Sequence, residues 1–269
     1  MMKKNWRKKG LNLNSPKIEK LVADPAERAA RAQEKQRLVV HWLQAEGFST
    51  AEVLAEVLGV HKNAVYRTLN VLQERGLLVA ERLKMPLGAR PAQVWGLTPD
   101  GALCVMNESG DFEHYQPGRQ APATVQHSLD VQRVRLVGER SGWSGWKSEK
   151  TLAREGAKAG WRKIPDAVAT SPDGRTAAIE VERTAKTLKR YRDIVRDYLL
   201  MMQEGRLSRV LYICTGNVRA DALQRLISKV DYVTVNGQQM QVKETHRARF
   251  SFVDFEDFKQ NPVLKTEGA

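Results

Sequence analysis

Cysteine is nearly absent from this chain. Two occur in 269 residues, Cys104 and Cys214, far apart and without a CxxC pair. That usage excludes a disulfide framework and a cysteine-built zinc site, and it fits a reducing, cytoplasmic compartment. Long apolar runs are missing too. No stretch approaches the roughly 18–20 residues of a membrane span. The basic residues 1–9 are not followed by the apolar segment of a signal peptide. The five histidines, at 41, 61, 114, 127 and 246, form no His-x-His metal pair. No glycine-rich phosphate loop is present, which argues against an ATPase. The run His246-Arg247-Ala248-Arg249 has no tyrosine after it, the last being Tyr232, so a tyrosine nucleophile downstream of that run is also excluded.

Acid is in short supply. The chain has 44 Lys and Arg against 31 Asp and Glu, a formal charge of +13. Residues 1–120 hold 18 basic and 13 acidic side chains and residues 121–269 hold 26 and 18, so the excess is spread over both halves. A charge of this sign raises the expectation of a polyanionic partner, bound by phosphate neutralisation and counterion release. An apolar content of 42% suffices for packed cores, and the length suggests two domains of about 100–200 residues each. Four segments follow from the composition: a basic arm over 1–24, a first domain over 25–107, a Gly- and Pro-bearing linker over 108–122, and a second domain over 123–269.

In the first domain, Asp24-Pro25 predicts a helix start, with Asp as N-cap and Pro in the first turn. Leu38, Val39, Trp42 and Leu43 line one side of that helix, and Gly47 ends it. Ser49 or Thr50 caps a second helix carrying Val53, Leu54, Val57 and Leu58. A turn at Gly59-Val60 leads to a third helix over 62–75, with Val65, Leu69 and Leu72 inward. Strands over 77–79 and 93–97, joined by a basic turn-rich segment, predict a hairpin, and 98–106 a short closing helix. Three helices followed by a hairpin resemble a winged helix-turn-helix. The polar face of the third helix then carries Lys62, Asn63, Tyr66, Arg67 and Asn70, and the wing carries Arg82, Lys84 and Arg90. These side-chain types reach bases and phosphates in a major groove.

The second domain reads as α/β with a mixed sheet. A helix over 124–140 breaks at Gly142-Trp143-Ser144-Gly145, and a strand is expected over 146–152. Strands over 161–170 and 175–183 are joined by the turn Ser171-Pro172-Asp173-Gly174. A long helix over 185–205, an apolar strand over 209–214, a helix over 218–229 and outer strands over 232–235 and 249–253 follow. Asp166 follows Pro165 on one hairpin strand. Glu180 and Glu182, two apart on the next, share a face. Two carboxylates on an otherwise apolar strand are expensive unless they bind something. With Asp166 across the hairpin they repel unless a divalent cation holds them, and oxygen ligation suits Mg²⁺ or Mn²⁺. Lys186 opens the following helix, within reach of a phosphate or a water. Against this stands the plainer reading of structural acids, core tyrosines at Tyr191 and Tyr198, and a solvated arginine face at Arg190, Arg192 and Arg196.

The Pro-Asp…Glu-x-Glu pattern resembles the PD-(D/E)xK nucleases, with Glu182 standing where that superfamily has lysine. A narrower resemblance covers most of the chain. The winged helix, His127-Ser-Leu-Asp-Val, Trp146-Lys-Ser-Glu149, Ile164-Pro-Asp-Ala and Ile179-Glu-Val-Glu-Arg-Thr-x-Lys…Arg190-Tyr191 together resemble the replication-relaxation family, which includes MOBC-type plasmid relaxases. The resemblance implies a restriction-endonuclease-like second domain, recognition of a plasmid origin of transfer or replication, and metal-dependent nicking of one strand. It implies Asp166, Glu180 and Glu182 as metal ligands, Glu149 as an additional acid with Glu139 as its rival, and Lys186 in place of the missing lysine. His127, Arg190 and Tyr191 are further candidates, and relaxosome or coupling proteins are possible partners. The competing reading is a non-catalytic DNA-binding protein, either a relaxosome accessory factor or a replication or transcription regulator.

Overall fold

The computed structural model describes residues 24–84, 91–105 and 113–262, apart from the side chains of 122, 123 and 156–159. Residues 1–23 of the basic arm and Arg90 therefore lie outside the described residues. The chain divides into two compact units between Val125 and Gln126.

In the first unit, α1 (Pro25–Glu46) starts as the local chemistry dictates: the Asp24 carboxylate accepts the Ala26 N–H at 3.0 Å. After β1 (Phe48–Thr50), the Thr50 hydroxyl caps α2 (Ala51–Leu58), and Gly59 leaves that helix in the left-handed region, at φ 61°. Then come α3 (Lys62–Glu74), β2 (Leu78–Leu83), β3 (Ala92–Leu97) and the short α4 (Pro99–Leu103). β3 is central, pairing antiparallel with β1 and β2. Trp42, Leu43, Val53, Leu54, Val65, Leu69 and Val94 are buried between helices and sheet, each aliphatic side chain contributing about 1.5–3 kcal/mol.

Within the stretch expected as a linker, Tyr115 is buried against β3. Gly96 makes room for it, since a Cβ there would lie 2.2 Å from the Tyr115 Cβ. The Tyr115 N–H donates to the Leu97 carbonyl at 2.8 Å. Glu81 accepts both the Tyr115 hydroxyl and the Gly118 N–H. Residues 115–118 thus belong to the packing of the first unit.

The second unit contains α5 (Pro122–Arg140), β4 (Ser144–Ser148), α6 (Glu149–Ala159), β5 (Ala167–Thr170), β6 (Thr176–Glu182), α7 (Leu188–Gln203), β7 (Arg209–Cys214), α8 (Ala220–Ser228), β8 (Tyr232–Val235), β9 (Gln238–Gln241), α9 (Glu244–Arg247), β10 (Phe250–Asp254) and α10 (Phe255–Gln260). Five strands form a mixed sheet in the order β10-β7-β6-β5-β4. β4, β5 and β6 run antiparallel, and β6, β7 and β10 run parallel. One face is covered by Tyr191, Val195 and Tyr198 of α7 with Leu223 and Ile227 of α8. The other is covered by Val131 and Val134 of α5 with Trp143 and Phe258. The α/β character and mixed sheet are as expected.

Three expectations need correction. Glu149 is not on a strand: Ser148 acts as a cap, its hydroxyl accepting the Thr151 N–H at 3.4 Å, so Glu149 opens α6. The strand expected from residue 161 begins at Ala167, because residues 160–166 return from α6 in a loop that includes Pro165, which has no N–H for a ladder. β8 does not join the large sheet. It turns at Asn236-Gly237, both at positive φ, and pairs with β9 in a separate ribbon. No described helix is long and apolar enough to cross a membrane.

Candidate functional site

Strand alternation turns Ile179 and Val181 of β6 toward α5 and turns Glu180 and Glu182 toward α7. Both carboxylates are buried, at 6% and 5% exposure. Burial at that depth is unfavourable unless the charge is paired and hydrogen-bonded. Each glutamate has a lysine and a tyrosine of its own. Glu180 takes the Lys163 ammonium and the Tyr198 hydroxyl. Glu182 takes the Lys186 ammonium, 2.6 Å from Oε1, and the Tyr191 hydroxyl at 3.1 Å. Tyr191 and Tyr198 stand two turns apart on α7, on one face. Each lysine also lies over its tyrosine ring, Lys163 at 5.3 Å and Lys186 at 5.9 Å. The result is two Glu–Lys–Tyr groups side by side.

Asp166 enters from the loop before β5. Its Oδ2 accepts the Val181 N–H at 2.7 Å, which ties it to β6 beside Glu180, and its Oδ1 meets Nε2 of His127 on α5 at 3.1 Å. The backbone N–H of Glu149 donates to the Asp166 carbonyl at 2.9 Å. Burial, and then the charge of Asp166, push the Glu149 carboxyl above its ordinary range. Burial does the same to Glu180, with Lys163 opposing and Asp166 adding. Glu149 and Glu180 thus each feel both Asp166 and Lys163, and His127 feels Asp166 and Glu149.

The hydrogen bond to Asp166 holds His127 above its usual value, against the effect of burial. A raised folded-state value means that the folded chain binds this proton more tightly. Its stabilisation is then full below the unfolded value of about 6.5 and is lost as pH rises through the folded value. The melting temperature of wild type should fall between about pH 6 and about pH 8 by more than that of His127→Gln. Parallel profiles would show that His127 and Asp166 do not interact in this way.

Of the residues predicted from sequence, Asp166, Glu180, Glu149 and His127 come together. Glu182, Lys186 and Tyr191 form the neighbouring group, where Lys186 serves Glu182. Arg190 sits exposed in the first turn of α7. Sequence reasoning missed Lys163, and it placed Tyr198 in the core, where it is, without its hydrogen bond to Glu180. Their signals were present: Lys163 stands three residues before Asp166 in Lys-Ile-Pro-Asp, and Tyr198 repeats Tyr191 at helical spacing. Among the described residues no three His, Cys, Asp or Glu side chains gather as a ready metal cage. Asp166 and Glu180 carry oxygen donors of the kind that Mg²⁺ or Mn²⁺ takes, though Glu180 is occupied by Lys163 and Tyr198. Glu182 is occupied by Lys186 and Tyr191.

In the first unit, α3 buries Val65, Thr68, Leu69 and Leu72 and leaves Asn63, Arg67 and Asn70 exposed on its other side. Tyr66, between them, is half-buried, its ring edge-on to the buried Trp95 at 5.8 Å. Lys84 is exposed just past β2. Lys62 is held in an ion pair by Glu52 of α2. Glu52→Gln should free that ammonium and tighten DNA binding about two- to threefold at low salt, an effect that fades as salt screens it. Fluorescence anisotropy at two salt concentrations checks this; weaker binding by the variant would show that Lys62 does not face DNA.

A family model for replication-relaxation matches residues 40–211. Comparison with curated proteins and with solved structures finds no match. The matched region is well over half of the chain and takes in the α3 face and the whole acidic cluster. The chain belongs to the replication-relaxation family.

Proposed function

We propose that this protein binds plasmid DNA at an origin of transfer or replication and nicks one strand there. Family membership supports a DNA partner, and the charge of +13 agrees with it. The order α1-β1-α2-α3-β2-β3, with β1 closing on β3, supports a winged helix whose α3 enters the major groove. The order α5-β4-β5-β6-α7-β7 supports a nuclease of the PD-(D/E)xK kind.

One observation carries the catalytic reading: the gathering of Asp166, Glu180, Glu149, Lys163 and His127 around the entry to β5. Glu149 and Glu180, both raised by burial and by the charge of Asp166, are perturbed carboxyls of the kind that mark sites of chemistry. Asp166 and Glu180 would hold Mg²⁺ or Mn²⁺, which supplies Lewis-acid polarisation of a phosphate and a more acidic water. Lys163, three residues from Asp166, places a fixed positive charge where the phosphodiester gains negative charge. His127 holds Asp166 in place and moves a proton at its Nε2. Glu149, its carboxyl raised by burial, holds a proton more tightly than an ordinary glutamate and is the candidate general acid.

The test is conversion of supercoiled origin plasmid to open circles with Mg²⁺, Mn²⁺ or EDTA. Nicking that needs the ion is expected. Tight origin binding without nicking, in the presence of the plasmid's other mobilisation proteins, would favour the second reading, a non-catalytic accessory or regulatory protein. A specific observation speaks for that reading as well: Glu182 stands where the nuclease superfamily has lysine, and the carboxylates of Asp166, Glu180 and Glu182 are each paired within the protein.

A further inference from the structure

At the carboxyl ends of the parallel strands β6 and β7 two exposed loops, 183–187 and 215–219, lie beside each other. In α/β sheets this is the edge at which ligands bind. Arg183 stands between the loops. The buried carboxylate of Asp130, on α5, holds it from one side. Gly216 lies on the other, where a Cβ would be 3.8 Å from the guanidinium carbon. The same Asp130 accepts from Gln126 at 3.0 Å, Thr215 at 3.2 Å and a second arginine, Arg133, at 3.4 Å. Two guanidinium groups thus share one carboxylate, and one positive charge is left over. Arg183 keeps 33% of its side chain exposed, so a fork of N–H donors remains open to solvent in a fixed orientation. Lys186, Lys189 and Arg190 follow on exposed chain. Glu180 lies three residues back, about 10 Å along the strand.

We propose that Arg183 is the anchor of a phosphodiester-binding site, built by Asp130, Thr215 and Gly216, that takes the backbone of a nucleic acid strand beside the acidic cluster. An arginine pinned by a buried acid binds phosphate without first losing side-chain freedom, which suits register-setting backbone contact. This inference rests on the reading that the second unit handles DNA, but not on its cutting DNA.

Binding of a fluorescent DNA duplex to the full chain is therefore measured in EDTA over a salt series. Arg183→Gln should weaken binding about tenfold and lower the slope of log affinity against log salt by about one. Arg183→Lys should restore the slope while binding less tightly than wild type. Arg206→Gln, on a distant exposed pair, should change neither. An unchanged slope in a folded Arg183→Gln would overturn the proposal. In case that variant does not fold, phenylglyoxal labelling of wild type gives an independent answer. Arg183 should be modified in the free protein and protected by duplex DNA. Equal labelling with and without DNA would overturn the proposal. Should DNA protect Arg183 in a protein that never nicks, the site stands and the catalytic reading falls.

Discussion

Glu180→Ala is expected to lower the stability of the second unit by about 3–5 kcal/mol. The loss comes from what the substitution leaves behind. Lys163 is only 19% exposed and its ammonium lies on Glu180, so alanine strands a buried positive charge. Tyr198, wholly buried, loses the acceptor of its hydroxyl at the same time. Glu180→Gln keeps the acceptor and the shape but leaves the ammonium without its counter-charge. The double variant Glu180→Gln/Lys163→Met removes the charge from both partners and should recover most of the loss, because replacing a buried pair is far cheaper than breaking it. Urea unfolding followed by tryptophan fluorescence gives all three values. An alanine variant within about 1 kcal/mol of wild type would mean that water reaches the pair and screens it. The practical consequence is that alanine at 180 confounds folding with catalysis, and glutamine paired with a stability measurement is the informative change.

Asp166→Asn should lower plasmid nicking by at least about a hundredfold while leaving the fold intact. The amide oxygen still accepts the Val181 N–H, so the link between the β5 entry and β6 survives, but the charge is gone. The pH dependence contributed by His127 should flatten in the same variant, because its partner no longer holds its proton. Lysine substitutions then separate the two Glu–Lys–Tyr groups. Lys163→Met should reduce nicking about as severely as Asp166→Asn. Lys186→Met, which releases Glu182, should reduce it less. The reverse order would move the reactive centre one strand step along β6, to Glu182.

Much of this arrangement is local and could be read along the chain. The Asp24-Pro25 start, the Thr50 cap, the α3 stripe and the Ser171–Gly174 turn depend on neighbours within one helical turn, and all appear where the local chemistry puts them. The shared face of Glu180 and Glu182 follows from strand alternation alone. Their partners do not. His127 and Asp166 are 39 residues apart, Arg183 and Asp130 are 53 apart, and Tyr198 and Glu180 are 18 apart. No periodicity announces such contacts. The separate β8–β9 ribbon was obscured for another reason: Gln238–Gln241 is polar apart from Met240, is exposed throughout, and lacks the alternation that marks a half-buried strand. Glu149 misled because Ser-Glu after a strand reads equally as continuation or cap.

The packing of Tyr115 into the space left by Gly96 changes where the first unit can be cut. A fragment ending at 107, where the Gly- and Pro-bearing stretch begins, would leave a furrow along the central strand and free the carboxylate of Glu81 from both its donors. One ending near 120 carries its own seal. The natural seam of the molecule thus falls after the tyrosine, and a gene fusion or a domain exchange that respects residues 113–118 transfers a closed module instead of an open one.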